Sequence, residues 1–361
     1  MDTYAKAQRG SAFSAATLVI FGLFVAITPF IRLAAGINEH GSAAPTCVLT
    51  EVDIEAPYAN NGDAPEIFAD GAVLIDGRSR EILYSKECDK RLPMASTTKI
   101  MTALVAAETL SGDEYVKVPK ECAGIEGSSI YLEVGETVSV KTLLYGLMLE
   151  SGNDAATALA ILSCGSVERF AEKMNERAKS LGLTSTNFTN PHGLPDDNHY
   201  TTAYELAVIA SEAMKNDKVA EAVSSVNAVA GGENGEKKRY FTNHNKLLRL
   251  YDGACGVKTG FTRAAGRCLV SAAKRDGTLL IAVTLGCPDD WNAHISMLDY
   301  GFRNFKSVMI SPEEGIDLSP FGIPCEKSGE VWRTLPRDSS PALSYRVTYS
   351  HGETSLYVAE K

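Results

Sequence analysis

Strand-like segments stand at both ends of the middle of this chain, and helical ones fill the interval between them. AVLID (72–76) and EILYS (81–85) flank the turn GRSR, with Val73 and Ile75 in strand alternation. Far downstream, GVKTGFT (256–262), RCLVSAAKR (267–275) and TLLIAVTLG (278–286) follow one another across glycine-containing turns. A helical pattern near Ala293 to Phe302 closes that run. In between, apolar spacing is helical from the stretch opening at Ser96 to Ser111-Gly112, from Lys141 to Leu162, from Val167 to Leu181 and over YELAVIASEAMK. Gly112 is expected to stop the first of these helices. A lone hairpin is marginal in water, so the early pair needs the late strands to complete a buried face. The pattern predicts an α+β fold: one antiparallel sheet built from both ends, flanked by helices, with an inserted helical subdomain.

The flanks read differently. MDTYAKAQRG carries Lys6 and Arg9, and SAFSAATLVIFGLFVAITPFI then runs to Arg32 without a charge. That is a basic region followed by an apolar stretch of roughly 20 residues, long enough to span a bilayer. The small residues LAAG behind it fit a cleaved signal peptide; the apolar length fits a retained membrane anchor, which is preferred. Either way the N-terminal charges stay in the cytoplasm and the body is exported, to the outer face of the cytoplasmic membrane or the cell-wall space. Residues 1–36 are therefore read as that segment, 37–65 as a linker, 66–305 as the main domain, and 306–361 as a small β-rich C-terminal region with stretches such as SYRVTYS and TSLYVAE. A net charge of -10 and the lack of a basic stripe exclude a nucleic-acid footprint. The 8 cysteines include no C-x-x-C pair, which argues against a zinc site; most read as small buried hydrophobes.

Three short motifs carry chemistry. In PMASTTKIMTALVAAE, Ser96 and Lys99 lie one helical turn apart at the start of an apolar helix. A lysine kept from water, or beside a second cation, loses its proton easily and could accept one from the serine. An N-cap serine and a snorkelling lysine is the bland alternative, and S-x-x-K arises by chance about once in a chain this long. Ser151-Gly152-Asn153 interrupts a helical stretch and could turn a hydroxyl and an amide into a cleft, or simply cap a helix. In Lys258-Thr259-Gly260, Lys258 would supply the second cation and Thr259 a hydroxyl for a substrate carboxylate. Gly260 would let a substrate backbone approach an edge strand. A sheet joining the two ends of the chain would bring the three motifs together.

In that order, S-x-x-K, S-x-N and K-T-G resemble the motif set of penicillin-binding proteins and serine β-lactamases. The longer segments AVLIDGRSREILYSKECDKRLPMAS, LMLESGNDAA, NPHGLPDDNHYTTAYELA and GVKTGFTRAAGRCLVSAAKRDG are similar to D-alanyl-D-alanine carboxypeptidases of peptidase family S11, over about residues 66 to 305. The resemblance implies the β-lactamase/DD-peptidase-like fold and no metal or organic cofactor. It implies that Ser96 attacks the penultimate D-alanine carbonyl of a peptidoglycan stem peptide, and that Lys99 accepts its proton. Ser151 and Asn153 would relay a proton and hold the substrate backbone; Lys258 would anchor the electrostatics and Thr259 would bind the terminal carboxylate beside Gly260. The backbone N–H groups of Ser96 and Phe261 would form the oxyanion hole. β-Lactams would acylate the same serine. No arginine stands in GCPDDWNAHISMLDYGF, where some relatives bind the carboxylate; His244 or Arg267 could substitute. A serine β-lactamase, a transpeptidase and a non-catalytic penicillin-binding sensor are the competing readings. The region after Asn153 offers no E-x-x-L-N element for fast β-lactam hydrolysis.

Overall fold

The structure, a computed structural model, describes residues 63–231, 237–310, 331–338, 342–349 and 352–359. The N-terminal basic and apolar segment and nearly all of the linker lie outside the described residues. Among the described residues no helix is long and apolar enough to cross a membrane.

The early hairpin forms as β1 (Gly71–Asp76) and β2 (Ile82–Lys86). The late strands are β7 (Ala254–Thr262), β8 (Gly266–Arg275) and β9 (Thr278–Leu285). They join in one five-stranded sheet of order β2-β1-β9-β8-β7, antiparallel throughout. β1 therefore pairs with β9, the last strand of this sheet in chain order, as the segregation of strands to the two ends of the domain predicts. β7 is left at an edge.

Strand alternation sorts the sheet into two cores. Val73, Ile75, Val270, Ala272, Ile281 and Val283 point into one cluster, with the helical insertion. Ala72, Leu74, Leu269, Ala273, Leu280 and Ala282 point into the other, against the C-terminal helix α8 (Asp290–Asn304). The insertion centres on α1 (Lys99–Thr109), whose residues from Lys99 to Ala107 are all buried. A helix without a polar side must be enclosed, and α2 (Val140–Met148), α3 (Asn153–Cys164), α4 (Val167–Ser180), α5 (Ala203–Ala213) and α6 (Asp217–Ser224) enclose it. Ser139, Ser166, Thr202 and Asn216 cap the starts of α2, α4, α5 and α6 with their side chains.

Two expectations about α1 are corrected. The helix stops at Thr109, before Gly112: Leu110 is extended, and Lys218 Nζ donates to the Ala107 and Leu110 carbonyls at 2.7 Å. A cation from α6 supplies the cap that glycine was expected to supply. Nor does Ser96 begin the α-helix. It sits in a 3-10 turn, Ala95–Thr98, and α1 starts only at Lys99.

Two small pairs escaped the sequence reading. They are β3 (Tyr115–Lys117) with β4 (Thr137–Ser139), and β5 (Asn227–Ala230) with β6 (Arg239–Thr242). A short helix, α7 (Leu247–Leu250), leads into β7. Beyond α8, β10 (Phe305–Ile310) pairs with β11 (Val331–Pro336), and β12 (Ala342–Tyr349) with β13 (Gly352–Ala359). The chain divides into two compact units. One holds Ala56–Val308 with Thr334–Arg337; the described part of the other contains the β12–β13 hairpin. The six described cysteines are free thiols.

Candidate active site

The 3-10 turn carrying Ser96 is held by its own threonines: Thr97 Oγ1 donates to the Met94 carbonyl at 2.6 Å and Thr98 Oγ1 to the Ala95 carbonyl at 2.8 Å. Ala95, the residue before the serine, has a φ of 48°, a left-handed conformation that costs a non-glycine residue about 1–2 kcal/mol. The next turn of backbone brings Lys99 underneath. Its Nζ lies 2.9 Å from Ser96 Oγ, 2.7 Å from Asn153 Oδ1 and 2.7 Å from the His192 carbonyl oxygen.

The three partners of Lys99 Nζ suit a neutral amine poised to accept a proton. A neutral amine has two N–H donors and one lone pair. The amide oxygen of Asn153 and the carbonyl of His192 can only accept. They take both protons and leave the lone pair to the serine hydroxyl, which can donate. The electrostatics favour that neutral form. Lys99 is fully buried, which lowers its pKa well below 10.5; Lys258 adds to the lowering and Asp154 opposes it. The orientation of the Asn153 amide is set by its other end, since Nδ2 donates to the Glu126 carbonyl at 2.5 Å.

The Ser151-Gly152-Asn153 break lies between α2 and α3, as its turn-forming residues require. Ser151 is buried with a φ of 62°, and the Asn153 N–H donates to the Ser128 carbonyl at 2.7 Å. Lys99 reaches Asn153 but its hydrogen bonds do not include Ser151. Asp154, which the sequence reading passed over, fixes this corner. Its carboxylate accepts from Ser129 Oγ at 2.7 Å, from the Ile130 and Leu132 N–H groups at 3.1 Å, and from the Ala155 N–H at 2.9 Å. A carboxylate in the first turn of a helix is the signal that could have found it.

β7 forms the opposite wall. Lys258 and Gly260 lie on its α1-side face, cross-strand from Val270 and Cys268 of the first core. A Cβ on Gly260 would sit 3.1 Å from the backbone nitrogens of both Ser96 and Thr97, so glycine lets this strand lie against the serine turn. Lys258 is 1% exposed, donates to the Thr259 carbonyl at 2.9 Å, and burial lowers its pKa to about 7. Thr259 is half-buried and Phe261 exposed. Of the carboxylate-binding substitutes, Arg267 is committed to the buried Asp290 of α8 at 2.8 Å, and His244 Nε2 lies 3.3 Å from Glu150 Oε2. The loop 190–199 supplies the His192 carbonyl.

A serine beside a desolvated lysine, an amide from a helix break and a second lysine on an edge strand define a site of the acyl-transferring serine type. The sequence pattern of the D-alanyl-D-alanine carboxypeptidase family S11 matches residues 58–289. The chain belongs to that family. It is 39% identical over 247 residues to the D-alanyl-D-alanine carboxypeptidase DacF of Bacillus subtilis, covering 66% of this chain and 63% of that relative's length. To the D-alanyl-D-alanine carboxypeptidase DacB2 of Mycobacterium tuberculosis it is 33% identical over 258 residues, covering 69% of this chain and 88% of the relative. Among solved structures, the Streptomyces K15 DD-transpeptidase superposes with a TM-score of 0.63 at 36% identity, over 66% of this chain and 98% of that one.

Proposed function

We propose that this protein is a serine-type D-Ala-D-Ala carboxypeptidase that trims the terminal D-alanine from peptidoglycan stem pentapeptides and is acylated by penicillin at the same serine. The observation that carries the reading is the 2.9 Å contact between Ser96 Oγ and a buried Lys99 whose other two partners can only accept. As Ser96 Oγ bonds to the penultimate carbonyl carbon, Lys99 takes the hydroxyl proton. The backbone N–H groups of Ser96 and Phe261 hold the oxyanion. The C–N bond then breaks, the proton passes to the departing amine by way of Ser151, and free D-alanine leaves an acyl ester that water hydrolyses. Asn153 holds the substrate backbone; Lys258 and Thr259 take the terminal carboxylate where Gly260 leaves the strand open. The N-terminal apolar segment is assigned the membrane attachment that keeps the enzyme beside its polymer.

Two measurements test this. Fluorescent penicillin should label the purified protein, and a peptide ending in D-Ala-D-Ala should lose D-alanine; Ser96→Ala should abolish both. A labelled Ser96→Ala protein would remove Ser96 from its role. Rapid turnover of a chromogenic cephalosporin without D-alanine release would make the enzyme a β-lactamase instead. Because a structural relative is named a DD-transpeptidase, the release assay should include an amine acceptor; a peptide product exceeding hydrolysis would identify transfer as the main reaction.

The pH profile supplies a further prediction. The free enzyme must hold a proton on Lys258 to attract a carboxylate, and that proton is lost at a pKa of about 7. kcat/KM, which reports the free enzyme, should therefore fall above about pH 7. kcat should stay level to higher pH, because a bound carboxylate favours the Lys258 cation. A kcat/KM that stays flat to pH 9 would take Lys258 out of carboxylate recognition.

A further inference from the structure

His199 is buried, yet the chemistry above does not use it. The Thr189 N–H donates to its Nδ1 at 3.0 Å, so the ring proton sits on Nε2 and is donated to Thr98 Oγ1 at 2.7 Å. Thr98 in turn spends its own proton on the Ala95 carbonyl. The relay ends on the left-handed residue immediately before Ser96. We infer that His199 is a positioning residue: through Thr98 it holds the strained turn that aims the serine hydroxyl at Lys99.

The surrounding geometry supports a dedicated brace over incidental packing. The same loop places the His192 carbonyl on Lys99 Nζ and the bare Gly193 against the Ala95 carbonyl. Serine and lysine are thus registered from one segment. Phe188 meets the His199 ring edge-on with centroids 5.8 Å apart, which fixes its plane. Burial holds the ring neutral, with a pKa of about 4, against the opposing charge of Asp196. A neutral ring with one donor and one acceptor is what the two hydrogen bonds require.

The inference rests on Ser96 being the nucleophile, and two substitutions separate the ring nitrogens. Asparagine places an acceptor near the Nδ1 position and no donor at Nε2; glutamine places a donor near Nε2. If the bond to Thr98 aims the serine, His199→Asn should slow the acylation step by benzylpenicillin about 100-fold, with the initial binding constant unchanged. His199→Gln should stay within about threefold of wild type by restoring the Nε2 donor. Thr98→Val should match His199→Asn, and the His199→Asn/Thr98→Val double variant should lose no more than either alone, since both remove one linkage. Stopped-flow and mass-spectrometric acylation, with melting temperatures alongside, give these readouts. Equal rates for the Asn and Gln variants, or a Thr98→Val protein acylating as wild type, would overturn the inference while leaving Ser96 as nucleophile. A wild type that penicillin does not acylate would overturn the nucleophile reading and this inference with it.

Discussion

Replacing Lys99 with methionine is expected to slow acylation of Ser96 by about 10²–10⁴-fold, the range a positioned general base contributes. Methionine keeps most of the length and apolar bulk of the side chain, with sulfur in place of Cδ, and removes the amine. Two effects on stability then oppose one another. Asn153 Oδ1 and the His192 carbonyl lose their donor, at about 1–3 kcal/mol each. Against that, the fold no longer has to bury an amine that is protonated in the unfolded chain, a relief of about 1–4 kcal/mol. The terms are of similar size, so the melting temperature should move by only a few degrees while activity collapses.

The pH dependence of that balance has a definite sign. Lys99 binds its proton more weakly in the folded state than in the unfolded one. The unfolded state therefore holds more protons between the folded pKa and 10.5, and wild-type stability rises with pH across that window. The methionine variant lacks this contribution, so wild type should gain on it between pH 7 and pH 9 in denaturant titrations. Near-wild-type acylation by the variant would refute Lys99 as the base. A stability difference that narrows in the variant's favour with rising pH would refute its burial as a weakened base.

Gly193→Ala should have the opposite signature, with stability and activity lost together. Gly193 has a φ of 85°, and a Cβ there would lie 1.9 Å from the Ala95 carbonyl oxygen and 2.8 Å from Thr98 Oγ1. The carbonyl is backbone and cannot swing aside, so either the loop or the serine turn must move by more than an ångström. Unfolding free energy should fall by about 2–4 kcal/mol, combining strained backbone with a packing clash. A shift of that size at the nucleophile should also cost about 100-fold in acylation. Gly182→Ala is the matched control. Its φ is 79°, but a Cβ there would meet nothing within 4 Å, so the left-handed cost of about 1–2 kcal/mol stands alone. Equal destabilisation of the two variants in urea titrations would show that the Gly193 contact is not the constraint.

Side-chain chemistry at a recognisable spacing was legible in the sequence. Ser96, Lys99, Asn153 and Lys258 converge because strand-like segments at both chain ends had to share one sheet, and that sheet sets β7 beside the serine turn. Asp154 was within reach of the same reasoning, one residue after a motif already singled out. The His192 carbonyl was not, because a backbone acceptor leaves no trace in residue type. β3–β4 and β5–β6 were not legible either: three or four residues hold too little of a two-residue period to stand out. The cap on α1 misled for a related reason. Gly112 carries a local signal, whereas Lys218 arrives from a helix more than a hundred residues away.

The sequence by itself determined the elements that periodicity and motif spacing specify: the α+β order, the buried α1, and a lysine one turn from a serine. Only the tertiary structure decided what that lysine is. Enclosure by the helices removes its water, the break before α3 and the loop at His192 claim its two protons, and β7 brings a second buried lysine near. Each effect depends on groups distant in the chain, and proton affinity follows from surroundings in space.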